Sequence, residues 1–216
     1  MSGPSSTRTD VRVVADPYPP YQYAEDGEVR GHDHELVVAA FAAVGLRATT
    51  QLLAWPECLQ SLRDGAADAI FQITPTPERE HWLVFSRPFR SARTLLYQRP
   101  GTISRPIRVD ELPALATQMR VGVLEGFSYD PVIDGAPAAL AAPSDGALLM
   151  ALRDAVVDLA VVDEGVAEHL LDGTGDAAPV PGFTVTRPLH LACRRADRAI
   201  VEAFDAGLTA IGCAPT

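Results

Sequence analysis

The chain has 216 residues, 47% of them hydrophobic and 21% charged, and a formal net charge of −10. That is ordinary globular material, long enough for one large domain or two smaller ones that each bury a core. The acidic balance excludes a nucleic-acid binder, because phosphates need clustered Lys and Arg, and argues against docking on an anionic membrane.

In chain order, Val11 to Ala15 reads as a short buried strand ended by Asp16-Pro17. Tyr18-Pro19-Pro20-Tyr21-Gln22-Tyr23 is a rigid aromatic loop, since its prolines fix φ and remove donors. Glu25 to Gly31 is turn-like around Asp26-Gly27. From Asp33 to Val44 the apolar residues Leu36, Val37, Ala40, Phe41 and Val44 recur at helical spacing, and Gly45 stops the helix. Thr49 to Leu53 reads as a strand and Trp55 to Asp64 as a helix. Ser91 to Gln98 is a strand, Pro100 to Pro113 a connecting segment and Val121 to Leu124 a strand. Ser144 to Arg153 is a helix with Ser144 as its N-cap, and Asp163 to Leu171 another helix. Gly173 to Gly182 is a loop, Leu189 to Cys193 a strand, and Asp197 to Ile211 a last amphipathic helix.

An internal repeat runs through this pattern. Leu62-Arg63-Asp64-Gly65-Ala66-Ala67-Asp68-Ala69-Ile70-Phe71 passes from helix to strand, and Leu152-Arg153-Asp154-Ala155-Val156-Val157-Asp158-Leu159-Ala160-Val161 does the same later. One copy per half predicts two lobes built on one plan, and alternating strands and helices predict mostly parallel sheets flanked by helices. Ligands of such sheets bind beyond the carboxyl ends of the strands. That rule points to Asp16 to Tyr21, Gln72 to Arg79, Gly126 to Asp130, and Asp163.

Those segments resemble the polar-amino-acid type of bacterial solute-binding protein, the receptor component of ABC uptake systems. The resemblance rests on Tyr18-Pro19-Pro20-Tyr21, Gly31-His32-Asp33-His34-Glu35-Leu36, and Trp55 with Leu59, Leu62, Gly65 and Asp68. Its most specific stretch is Thr76-Pro77-Glu78-Arg79 with Phe85-Ser86-Arg87-Pro88-Phe89. Val121 to Tyr129 and Asp163-Glu164 extend it into the second half.

The resemblance implies a two-lobed α/β clamp of the periplasmic-binding-protein type, closing like a flytrap on one free amino acid, with two crossover strands. Its lobes would comprise residues 10–98 plus 188–216, and residues 99–187, with the crossings near Gln98 to Gly101 and Arg187 to Leu189. It places Arg79 as the carboxylate-binding fork, which a lysine does not reproduce. Ser128 completes that carboxylate pocket, and Asp163 holds the α-ammonium. Gln72 and Thr74 hydrogen-bond the ligand, Tyr18 and Trp55 wall its side chain, and Asp16 lies where relatives with cationic ligands keep an acid. A zwitterion bridging Arg79 and Asp163 would favour the closed state. A monomer, an ABC permease as partner, and no cofactor are the further expectations.

Read one by one, Arg79 is a surface charge after a proline turn, Ser128 and Asp163 are helix caps, and Tyr18 and Trp55 are core aromatics. His32, His34 and Glu35 open an ordinary helix, so no metal is expected. Cys58, Cys193 and Cys213 are odd in number and lack ligand spacing, which reads as buried thiols. The longest apolar run, Leu36 to Leu46, is too short for a membrane span.

Met1 to Asp10 shows no secretory signal, so the chain is extracytoplasmic if a signal was removed and cytoplasmic otherwise. The family usually continues past its last helix, whereas this chain stops soon after Ile211. Two alternatives follow. One is an intracellular enzyme on the same fold, such as a cyclohexadienyl-type dehydratase with Asp163 or Glu164 as catalytic acid. The other is a ligand-sensing accessory domain.

Overall fold

The computed structural model describes residues 9–127 and 129–213. The elements run β1 (Asp10–Ala15), β2 (Tyr23–Glu25), β3 (Glu28–Arg30), α1 (His32–Ala43), β4 (Arg47–Leu52), α2 (Trp55–Asp64), β5 (Ala69–Ile73), α3 (Pro77–Glu80), β6 (Leu83–Phe85) and β7 (Arg90–Gln98). They continue with α4 (Leu112–Leu115), β8 (Val121–Leu124), α5 (Pro131–Asp134), β9 (Leu140–Ala142), α6 (Asp145–Arg153), β10 (Leu159–Asp163), α7 (Glu164–Leu171), β11 (Ala178–Arg194) and α8 (Ala199–Ala210). The chain divides into two compact units, Met1–Ser91 with Pro188–Thr216, and Ala92–Arg187. The first division falls near the start of β7, where the sequence reading places it after Gln98; the second falls between Arg187 and Pro188.

In the first unit the strand order is β4-β1-β5-β11, with β6 also on β11. β1 lies parallel to β4 and β5, while β11 is antiparallel to β5 and β6. β1 is apolar enough to bury Val11, Val13, Val14 and Ala15, as a strand covered on both faces must be. One face packs Val14, Ile70 and Ile73 against Cys58 and Leu62 of α2. α1 and α8 pack together through Phe41 and Phe204, whose ring centroids are 5.4 Å apart. Gly207 makes this approach possible: a Cβ there would sit 2.0 Å from the Ala40 carbonyl oxygen.

In the second unit β7-β10-β8-β9 is the strand order, with β10 antiparallel to β7 and parallel to β8, and β8 parallel to β9. Its core joins Leu96, Ile107, Leu112, Val121, Leu159, Val161, Val180 and Phe183.

The repeat has a physical role in both units. The Asp68 carboxylate accepts from the Arg12 backbone N–H at 2.8 Å, Nε at 3.0 Å and Nη2 at 2.6 Å. Asp158 accepts the same three bonds from Arg120 at 2.9, 3.1 and 2.8 Å. Each aspartate precedes one parallel strand and clips the start of its neighbour, β1 in one unit and β8 in the other. Arg120 and Arg99 hold the Asp158 carboxyl well below the usual carboxylate range, with Arg120 the larger cause. The copies differ at the helix end: Gly65 has φ 77°, and Ala155 takes the same left-handed turn at φ 58°.

Three expectations need correction. Gly173 to Gly182 is not wholly loop, because β11 begins at Ala178; Pro179 and Pro181 hid a strand that buries only Val180 and Phe183 in its first half. Glu25 to Gly31 is a hairpin, β2 and β3, turning at Asp26-Gly27 with φ 53° and 81°. The stretch Pro100 to Pro113 already contains a 3₁₀ turn, Val109–Glu111, and the start of α4.

Candidate functional site

In the first unit the chemistry gathers where β1 and β5 end. Thr76 caps α3, its Oγ1 accepting from the Arg79 N–H at 3.3 Å, and Pro77 starts the turn with φ already set. That turn brings Arg79 back over β5. Its Nη1 donates to the Thr74 carbonyl at 2.9 Å and more weakly to Thr74 Oγ1 at 3.5 Å. Its guanidinium lies 5.3 Å from the ring centroid of Trp55, at the start of α2. Arg79 is half-buried, and burial pushes its pKa down, with Glu78 opposing. Among the described residues no carboxylate is within ion-pair distance of it.

Gln72 is set by a bulge. Ile70 and Ile73 pair with Ala192 and His190, so β5 carries one residue more than β11 there, and Gln72 takes φ 59°. Its Nε2 donates to Asp33 Oδ2 at 2.6 Å, and its Oε1 accepts from Gln22 Nε2 at 3.0 Å. Gln22 Nε2 also donates to the Asp16 carbonyl at 2.9 Å, and Arg90 Nε donates to Asp33 Oδ2 at 2.9 Å. Arg90 lies 3.6 Å from the centroid of Tyr21, which stacks on Tyr18 at 5.8 Å. A buried chain of polar groups therefore runs Arg90, Asp33, Gln72, Gln22, Asp16, and it fixes the aromatic loop. Gln72 is thus a link of this network, tied to Gln22 and Asp33. The Asp16 carboxyl is half-buried, and desolvation pushes its pKa up. Burial first, and the Asp16 charge second, push the Cys58 thiol up to about 12, so this cysteine is a packed thiol without nucleophilic character.

In the second unit Asp163 ends β10 and caps α7, its Oδ1 accepting from the backbone N–H groups of Gly165 at 3.1 Å and Val166 at 3.3 Å. Glu164 is committed to Arg93, whose Nη1 donates to both carboxylate oxygens at 2.8 and 2.7 Å. Ser128 lies outside the described residues. Beside it in sequence, Tyr129 is buried; its hydroxyl accepts from the Leu124 N–H at 2.9 Å and donates to the Val161 carbonyl at 3.2 Å. Burial pushes the Tyr129 phenol well above its usual range.

Sequence reasoning missed Gln22, Asp33, Arg90 and Asp145. Two of them had a visible signal. Asp33 stands at the head of the stripe Val37, Ala40, Phe41, and Asp145 at the head of Leu148, Leu149, Leu152, each an acid on the buried face of its helix. His32 is exposed and His34 bonds Thr50 Oγ1 at 3.0 Å. Among the described residues no group of three His, Cys, Asp or Glu could hold a metal, and no helix is long and apolar enough to cross a membrane.

The sequence profile of the bacterial extracellular solute-binding proteins, family 3, matches residues 11–212. No curated protein matches the chain. Among solved structures, an amino acid ABC transporter substrate-binding protein from Streptococcus pneumoniae, bound to L-arginine, superposes with TM-score 0.74 at 22% identity, covering 94% of this chain and 89% of that one. An ancestral arginine-binding protein bound to arginine gives 0.75 at 20% identity, covering 95% and 93%. A histidine kinase sensor domain similar to periplasmic binding proteins gives 0.76 at 21% identity, covering 95% and 91%. The fold is thus the α/β fold of the periplasmic-binding-protein type.

Proposed function

Because the chain belongs to the bacterial extracellular solute-binding proteins of family 3, we propose that it binds a free α-amino acid and delivers it to an ABC permease outside the cytoplasm. The observation that carries this reading is Arg79. A half-buried guanidinium, resting on Trp55 and tied by Nη1 to Thr74, faces no carboxylate of the described residues. A buried charge needs a partner, and a planar fork suits a ligand carboxylate. Asp163 supplies the acid for the α-ammonium while it caps α7, and Ser128 adds donors to the carboxylate.

Asp16 sharpens the choice of ligand. It is a half-buried acid with no ion-pair partner among the described residues, close to Tyr18. A cationic side chain such as arginine's supplies the missing charge, with Tyr18 and Trp55 flanking its stem. Two of the similar structures above hold arginine.

The test is thermal unfolding and calorimetry with a panel of free amino acids that includes L-arginine. A ligand at a hundred times its Kd adds about 2.7 kcal/mol, a rise of roughly 5–10 °C for a chain of this size. Arg79→Ala removes the shift, and Arg79→Lys restores little of it. A flat panel, or an Arg79→Ala variant that binds as tightly as the parent, refutes the reading. A ligand-sensing domain is a second reading, favoured by the sensor-domain likeness; it predicts the same binding with no transport when the chain is paired with a permease.

A further inference from the structure

The first unit carries a second recess, away from the cluster at Arg79. An open groove of about 470 Å³ is lined by Arg63, Trp82, Arg194, Arg195 and Ala196, all residues of that unit. Trp55 opens α2 beside Arg79, whereas Arg63 stands near the other end of that helix, about 12 Å further along its axis. On β11, Cys193 pairs with Ala69 at the start of β5, so Arg194 and Arg195 lie at the end of the sheet opposite to Gln72 and Thr74.

The three arginines are in different states. Arg194 is spent: Nε and Nη2 meet Asp197 Oδ2 at 2.7 and 2.6 Å, and Nη1 donates to the Leu62 and Ala67 carbonyls. Arg195 is anchored without being neutralised. Its Nε donates to the His81 carbonyl at 3.2 Å and its Nη2 to the Glu80 carbonyl at 2.6 Å, which leaves the Nη1 donors unspent among the described residues. Arg63 lies over the Trp82 ring, 4.9 Å from its centroid. Glu78 comes no nearer to Arg63 than 4.0 Å, and both side chains are exposed, so that pair is worth little. Asp64 takes Gln60, Asp197 takes Arg194, and no acid is among the residues that line the groove.

These features define the occupant. Two guanidinium groups, one resting on an indole and one tied to two carbonyls, keep free donors. Such forks suit carboxylates, and anchoring them in advance lowers the ordering cost of binding. They rest on separate supports, which suits two carboxylates along one extended segment better than a single small anion. The rest of the lining is apolar: Trp82, Ala196 and the stem of Arg194. The Trp82 indole N–H is buried and meets no acceptor among the described residues. The chain as a whole is −10, yet the charged side chains lining this groove are all cationic, so here it attracts an acid and repels a base.

We propose that this groove docks an acidic segment of a partner protein, with two carboxylates on Arg63 and Arg195 and an aromatic side chain between them packed on Trp82 and Ala196. The inference is independent of the amino-acid reading above.

The experiment is NMR titration of the whole chain with a capped peptide carrying two glutamates on each side of one phenylalanine. It is run at about 0.15 M salt, where screening over about 8 Å leaves the local charges to decide. The chain has two tryptophans, hence two indole N–H signals, which Trp82→Phe assigns. The expected result is a saturable shift of the Trp82 signal, with the Trp55 signal unmoved. Arg63→Gln and Arg195→Gln should each weaken the peptide by about two- to fivefold, and together by about four- to twenty-fivefold, without altering L-arginine binding or Tm. A peptide with glutamine in place of glutamate needs no variant and should weaken by the same range. An unmoved Trp82 signal, a glutamine peptide that binds as tightly, or two arginine variants that bind like the parent would overturn the docking site. Inorganic phosphate giving the same shift at the same concentration would overturn it too, by showing a general anion patch.

Discussion

Asp68→Ala is the sharpest test of how the repeat works. Asp68 is 1% exposed and receives three hydrogen bonds from Arg12, one of them from the backbone. Truncation removes the acceptor for a backbone N–H, which costs about 1 kcal/mol or more. It also removes charge-assisted bonds whose value is reduced because the Arg12 side chain is 57% exposed. The sum for Asp68 is about 2–4 kcal/mol, a fall of roughly 5–15 °C in Tm for a chain of this size.

Urea and thermal unfolding measure the size of the loss. Because two units can unfold separately, hydrogen exchange must say where it falls. Exchange should quicken in β1, β4 and β5 and leave β8 and β10 protected. Asp158→Ala should do the reverse, and cost less, since the Asp158 side chain is 21% exposed. An Asp68→Ala loss under about 1 kcal/mol, or faster exchange spread evenly over both units, refutes the clip.

Two further substitutions probe the backbone. Ala155→Gly should stabilise by about 0.5–1 kcal/mol: its φ of 58° burdens a residue with a Cβ, and the first copy of the repeat has glycine there. An unchanged or lower urea midpoint refutes this. Gly207→Ala should cost about 2 kcal/mol or more, because its Cβ would meet the Ala40 carbonyl at 2.0 Å and force α8 away from α1. Gly146→Ala is the control, with nothing nearer than Ser144 Oγ at 4.0 Å, and equal melting of the two variants would count against the packing argument.

Periodicity and punctuation settle most of the local structure in this chain. Trp55–Asp64 and Val121–Leu124 have the bounds the sequence predicts, and Ser144 caps α6 as its position demands, accepting from the Ala147 N–H at 3.2 Å. Those features depend on neighbours in sequence: spacing of apolar residues, a cap hydroxyl, a stop glycine. The repeat was legible too, as two copies of one string of residues. Its meaning was not, because Arg12 and Arg120 lie far from their aspartates along the chain.

What only the tertiary structure decided is the state of the charged groups. An acid in the first turn of a helix is favoured by the helix dipole whether it faces water or core, so the apolar stripes set Asp33 and Asp145 apart from Glu35 but do not tell what charge each meets. Packing buries Asp33 beside Arg90 and Asp145 beside Asp163, and leaves Glu35 exposed. Likewise Arg79 is one of many arginines until a capped turn carries it over Trp55, with no described carboxylate within ion-pair distance. Burial and the sign of the nearest charge are properties of three-dimensional neighbours, and no pattern along the chain encodes them.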